Sequence, residues 1–317
     1  MTKRLVVFIA LLTVLTFIAG CPQGPPQPAE PPKEEPAKLE APETKPPEEK
    51  APKVEPPKPK PYPATSFHDK CADILRNYVD DKGMVDYKTL KRKKLELKEL
   101  LNEFAGLDPD EYNRWPREDK IALWLNAYNI QMLKIIVENY PVESTRVLRI
   151  FWGPDSIRHI KGIWDKYKLI VMDEEFTLSE IDKRLLRQEF DEPRIFFAVS
   201  YASFSGPPLR SEPYYGHKLY RQLDDQIKKF LSSPLAFRID RKKQRVYLSA
   251  ILQPTWYGKE FIRKYGTDKK FKDQQPAARA VLNFITNYIS EQDVSFLELK
   301  NYSVEYIKYD WTLNDSL

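Results

Sequence analysis

From residue 67 onward, apolar positions recur at helical spacing. Cys71, Ile74, Leu75, Tyr78 and Val79 fall on one side of a helix over 67–80, which Asp81-Lys82-Gly83 ends. A second helix is predicted over 87–104. Pro116 stands where a helix N-terminus tolerates proline, and Ile121, Leu125, Tyr128 and Met132 carry the following helix to about Asn139. Residues 167–172 read as a strand, turned into a hairpin by Asp173-Glu174-Glu175. Thr177 caps a short helix ending near Glu189. Residues 194–201 are apolar and read as a strand, and 218–231 as a helix. Residues 236–240 and 244–248 pair across Arg241-Lys242-Lys243. Helices over 256–264 and 277–290 and a last strand over 303–309 complete the pattern. Helices outnumber strands, and the strands gather in the second half. The class is α+β, with a helical N-terminal half and a small, mainly antiparallel sheet, rather than a doubly wound nucleotide fold.

The first 66 residues obey another rule. Lys3 and Arg4 precede an apolar run from Leu5 to Phe17, and Ile18-Ala19-Gly20-Cys21 has the form of a lipobox. An apolar segment of about 15 residues is short for a membrane span. Residues 1–21 therefore read as a lipoprotein signal peptide ending at a lipidated Cys21. The competing reading is an ordinary signal peptide with a chance cysteine. Acyl chains such as palmitate, each worth ~0.8 kcal/mol per buried methylene, would anchor the protein to a membrane. The expected location is the exported side of a bacterial cell envelope, at the outer membrane in a two-membrane cell. Residues 22–66 are mostly Pro, Lys, Glu and Ala and hold almost no large apolar side chain, so they read as a disordered tether. At ~3.1 Å per residue in polyproline II, such a spacer reaches up to ~140 Å. Residues 67–317 remain for a single globular domain.

Charge and composition remove several functions. The net charge of +5 is small for 317 residues, and KRKK at 91–94 reads as a solvated helix face, so no nucleic-acid partner is expected. With Cys21 lipidated, only Cys71 is left; it cannot form an internal disulfide and reads as a buried helix residue. The three histidines, His68, His159 and His217, have no metal-ligand spacing, so no metal is expected. Ten glycines form no phosphate loop, and no cofactor is expected. No G-x-S-x-G elbow occurs.

Two stretches offer chemistry. Asn126 and Asn129 lie three apart, so both amides can face one side of their helix; they would either orient a substrate carbonyl or tie down a loop. FFAVSYASFSGPPLR, residues 196–210, leads an apolar run into Ser200, Ser203 and Ser205, then into Gly206, two prolines and Arg210. Arg210 would form either an internal salt bridge or a fork for a ligand carboxylate.

KIALWLNAYN (120–129), FTLSEIDKRLLR (176–187), RIFFAVSYASFSGPPLR (194–210) and YDWTLND (309–315) occur in the order and form of the bacterial domain-of-unknown-function 547 family, which this chain resembles over most of 67–314. LDDQIKKFL and WYGKEF fit as well. The resemblance implies a papain-like or transglutaminase-like scaffold. It also marks departures: the family's acid–histidine pair falls on Asp182 and Lys183, its Asn-Cys pair on Ser200 and Tyr201, its second cysteine on Gly206, and its other histidine on Phe196. A phenol of pKa ~10 and an ammonium of pKa ~10.4 do not replace a thiolate and a neutral-range base. Two functions are compatible with these residues. One is an envelope lipoprotein with a non-catalytic binding or scaffolding domain, its cleft holding an envelope protein or peptide through Arg210, Asn126 and Asn129. The other is an envelope hydrolase or transferase working through Ser203, Ser205, or Tyr201 with Lys183.

Overall fold

The computed structural model describes residues 66–143 and 153–316; the signal expectation and all of the tether expectation but Ser66, which begins the first helix, lie outside them. The chain divides into two units, Met1–Lys58 and Pro59–Leu317, and the second holds all the described residues. Its helical half comprises α1 (Ser66–Tyr78), α2 (Tyr87–Arg92), α3 (Lys94–Ala105), α4 (Pro109–Asn113) and α5 (Arg117–Asn139). The single helix expected over 87–104 is two. The exposed KRKK run carries the break at Lys93, whose N–H bonds back to Thr89 and Leu90.

Helix α5 is the centre of the domain. Residues 121–133 are all buried, so the stripe read from the sequence is one side of a helix enclosed on every face. Polar side chains there need internal partners, and the candidate site is built on how they find them.

Strands β1 (Lys168–Val171) and β2 (Glu174–Thr177) form an antiparallel hairpin. Its turn is Met172-Asp173, both at positive φ, so Glu174 and Glu175 already belong to β2. Thr177 caps the next helix through a full capping box with Glu180. That helix starts as α6 (Leu178–Glu180) and continues in π geometry over Ile181–Gln188.

Residues 194–201 do not form the expected strand. Pro193–Phe197 is a 3-10 helix, its N-terminus capped by Glu192. Residues 195–203 are buried throughout, with none of the alternation of a half-exposed strand, and Pro193 lacks an N–H for a ladder.

Helix α7 (Leu219–Leu231) precedes a sheet of order β3–β4–β5: Phe237–Asp240, Arg245–Ser249 and Ser303–Ile307. β3 and β4 are antiparallel. β5 returns parallel to β4 after a crossover through α8 (Pro254–Tyr265, kinked at Gly258, where φ is +81°), α9 (Pro276–Ile285) and α10 (Glu291–Glu298). Ser290, expected inside a helix, instead caps α10. The class is α+β. After β5 the chain ends in a strap: Thr312 bridges Ser156, Leu313 bridges Ser203, and Asp315 bridges Val85.

Candidate functional site

Asn126 and Asn129 act as two clamps on loop backbone. Asn126 Nδ2 donates to the Tyr214 carbonyl at 2.9 Å, and its Oδ1 accepts from the Tyr214 N–H at 2.8 Å. Asn129 Nδ2 donates to the Ala198 carbonyl at 3.0 Å, and its Oδ1 accepts from the Ser200 N–H at 2.8 Å. Each amide thus does for one stretch of buried backbone what a neighbouring strand would do, so these polar groups are satisfied without a sheet. Asn126, Asn129 and Arg210 do meet, around a packing void with no room for water.

Tyr201 does not border that void. It is 5% exposed and packs edge-on against Trp164 and Trp256. Burial raises its phenol far above the ordinary tyrosine range, Asp182 adds to this, and Arg187 opposes it. Arg187 Nε donates to Asp182 Oδ1 at 2.8 Å, Nη1 donates to the Trp256 carbonyl at 2.8 Å, and the guanidinium lies 5.0 Å from the Phe196 ring centroid. Asp182 and Arg187 are five apart, about 140° around an α-helix. The π geometry of this segment brings them to one face. The same geometry leaves Lys183 exposed. Asp182 therefore serves Tyr201 through Arg187, and the Tyr201–Lys183 pair considered from the sequence gives way to Tyr201–Arg187–Asp182.

Ser203 and Ser205 face the C-terminal strap. Ser203 Oγ and Tyr309 Oη share a hydrogen bond of 2.7 Å, and Ser205 Oγ accepts from the Asp310 N–H at 2.9 Å. Burial raises the Tyr309 phenol, against a lowering contribution from Ser203, so it supplies no base near neutrality. Gly206 sits where space is tight: a Cβ would stand 3.0 Å from Tyr309 Oη and 3.2 Å from Ser203 Oγ, so the neighbours would have to give by a few tenths of an ångström. Asn314 locks the strap from the other end, donating to the Gly83 carbonyl at 2.8 Å and accepting from Tyr87 Oη at 2.9 Å.

Arg210 satisfies its charge internally. Nη1 donates to Asp225 at 2.6 Å and Nη2 to Glu212 at 2.7 Å, with the side chain 13% exposed.

Beside the Tyr201–Arg187 cluster runs a groove of about 630 Å³ between the π segment, the 3-10 helix and α8. Phe196, Tyr257 and Phe261 line its apolar part, and its charged part is mixed: Arg187, Arg263 and Lys264 with Asp191 and Glu192, Lys264 lying 3.3 Å from Asp191. Among the described residues, no group of three or more His, Cys, Asp or Glu is placed to hold a metal ion. No described helix is long and apolar enough to cross a membrane. Arg187, Trp256 and Tyr309 were not singled out from the sequence. All three lie within stretches already noted, 176–187, WYGKEF and YDWTLND, as residues that carried no nucleophile or base.

The fold and site define an α+β domain organised around one buried helix that clamps a serine-rich loop. The model of the family described as "Protein of unknown function, DUF547" matches residues 112–231, which supports assigning the chain to that family. The match begins in α4 and ends with α7, taking in both clamps, the π segment and Arg210, and stopping short of the strap. No curated protein and no solved structure matches the chain.

Proposed function

We propose that this chain is a lipid-anchored envelope protein whose folded domain binds a ligand and catalyses nothing. The anchor rests on the lipobox at Cys21 and the tether that follows it. The binding reading rests on one observation: the residue where the resemblance places a nucleophilic cysteine is Tyr201, a buried phenol held protonated beside an Asp182–Arg187 ion pair. A nucleophile needs a base of matched pKa within hydrogen-bond reach. Tyr201 has a guanidinium there, Lys183 is exposed, and the strap offers Ser203 the Tyr309 phenol and Ser205 the Asp310 N–H, neither of them a base. The groove beside Arg187 is the part of the cleft still shaped to receive a partner, and an envelope peptide or protein, with apolar side chains and charges of both signs, fits its apolar wall and mixed charges.

Two experiments test this. Inhibiting lipoprotein signal peptidase should leave a larger precursor; a protein of unchanged size, released by washing, removes the anchor. Electrophilic probes for serine, cysteine and tyrosine nucleophiles should leave positions 201, 203 and 205 unlabelled. Labelling at Ser203 or Ser205 that disappears on denaturation replaces the binding reading with a hydrolase or transferase.

A further inference from the structure

Another cavity is lined by the serine-rich loop but not by Tyr201. It has about 350 Å³ and is formed by the turn after α1, the loop over 204–208 and the chain leaving α7. Lys229, in the last turn of α7, lines it half-buried. Among the described residues Lys229 forms no salt bridge; the acids nearest it, Asp225, Asp81 and Asp80, act on it only at longer range. Asp225 is held by Arg210 at 2.6 Å, and Asp80 Oδ1 accepts from the Lys82 and Met84 N–H groups, both at 2.8 Å. Asp81 and Lys82 stand side by side on the rim, both exposed. Burial and the nearby Arg210 charge lower the Lys229 ammonium below its ordinary range, against raising contributions from Asp225, Asp81 and Asp80.

Two hydroxyls join it. Ser205 Oγ accepts from the Asp310 N–H and Ser233 Oγ from the Leu235 N–H, so each has its own proton left to donate. The apolar wall is Phe204, which is 44% exposed although it sits in an otherwise buried loop, with Pro208 beside it. An ammonium, two O–H donors and an exposed aromatic face in one cavity match a carboxylate attached to an apolar group.

We propose that this cavity binds a carboxylate ligand bearing an apolar side chain, the free C-terminus of a peptide ending in such a residue being the simplest case. The ammonium of Lys229 meets the carboxylate, Ser205 and Ser233 donate to it, and Phe204 packs on the side chain. The site is separate from the groove beside Arg187 and stands whether or not the domain is catalytic.

The test is calorimetric titration of the full chain with N-acetyl-phenylalanine and with its neutral amide. The acid should bind and the amide should be at least about 10-fold weaker, because the charge-assisted bond is lost. Lys229→Met should weaken the acid by about 10- to 100-fold and bring it level with the amide; Lys229→Arg, which keeps the charge, should restore the preference. Phe204→Ala should weaken acid and amide alike. Absence of acid binding by the wild type up to about 10 mM overturns the proposal. So does equal binding of acid and amide, or an unchanged acid affinity in a Lys229→Met protein of wild-type melting temperature. Acid–amide discrimination on the wild type decides the matter even if Lys229→Met fails to fold.

Discussion

Helix α5 holds three buried side-chain amides whose substitution should move stability in opposite directions. Asn129→Ala leaves the Ala198 carbonyl and the Ser200 N–H without partners, both inside the protein. At ~1–3 kcal/mol for each abandoned group, the loss should be about 2–5 kcal/mol. Gln131, two residues on, is 0% exposed, and neither its Oε1 nor its Nε2 has a hydrogen-bond partner among the described residues. Its folded state therefore carries a desolvation cost with no bond in return. Gln131→Met keeps the length and removes the amide, and should stabilise by about 1 kcal/mol. For a folded unit of this size each kcal/mol moves Tm by ~2–4 °C, so Asn129→Ala should fall by roughly 4–20 °C and Gln131→Met should rise by roughly 2–4 °C. Urea denaturation followed by far-UV circular dichroism gives the free energies, and an unchanged m-value confirms that the unfolded state is the same. Destabilisation by Gln131→Met of more than about 1 kcal/mol, or a cost for Asn129→Ala below about 0.5 kcal/mol, would refute these assignments.

Arg210→Lys should cost about 1–2 kcal/mol, since lysine cannot span Glu212 and Asp225 together; a double-mutant cycle with Glu212→Gln should show coupling, and additivity within ~0.3 kcal/mol would exclude the internal bridge. Gly83→Ala should cost at least ~1–3 kcal/mol in urea denaturation, because φ is +82° and the new Cβ would stand 2.6 Å from Pro208 Cβ; a neutral result would mean that the α1 turn does not pack on the serine-rich loop. Burial, with a smaller contribution from the His217 charge, lowers His68 to about 4, against 6.5 in the unfolded chain. Below pH ~6.5 the unfolded chain takes up a proton that the folded one refuses until pH ~4, so this residue should cost up to about 3 kcal/mol as pH falls through that window. His68→Phe should flatten that part of the curve, and equal slopes for both proteins would rule the effect out.

Much of the helical framework was legible because its information is local. Cys71, Ile74, Leu75 and Tyr78 repeat at the helical period and are buried together in α1, and Pro116 and Thr177 stand at helix starts where their backbone chemistry suits them. The serine-rich loop was marked by its residue types, and Asn126 and Asn129 by their spacing. What each of these would touch was not legible. The clamps join residues 88 and 69 apart, and Ser203 meets Tyr309 across 106 positions. Residues 194–201 look like a strand because an apolar run suits any fully buried conformation. Only α5, by bringing the Asn129 amide to the backbone of 198–200, decides that this run needs no neighbouring strand. The π geometry over 181–188 was hidden in the same way. A wider turn changes which side chains share a face, and the pull of Arg187 toward Asp182 and the Trp256 carbonyl, 69 residues away, is not written in the local period. The sequence by itself determined the α+β class, most of the helices and the lack of a thiol at 201, since these depend on residue type and neighbours within a few positions. The tertiary structure alone decided that Tyr201 faces Arg187, that the serines face the strap, and that Arg210 is internally paired, because a buried polar group takes whichever partner the packed chain brings within reach.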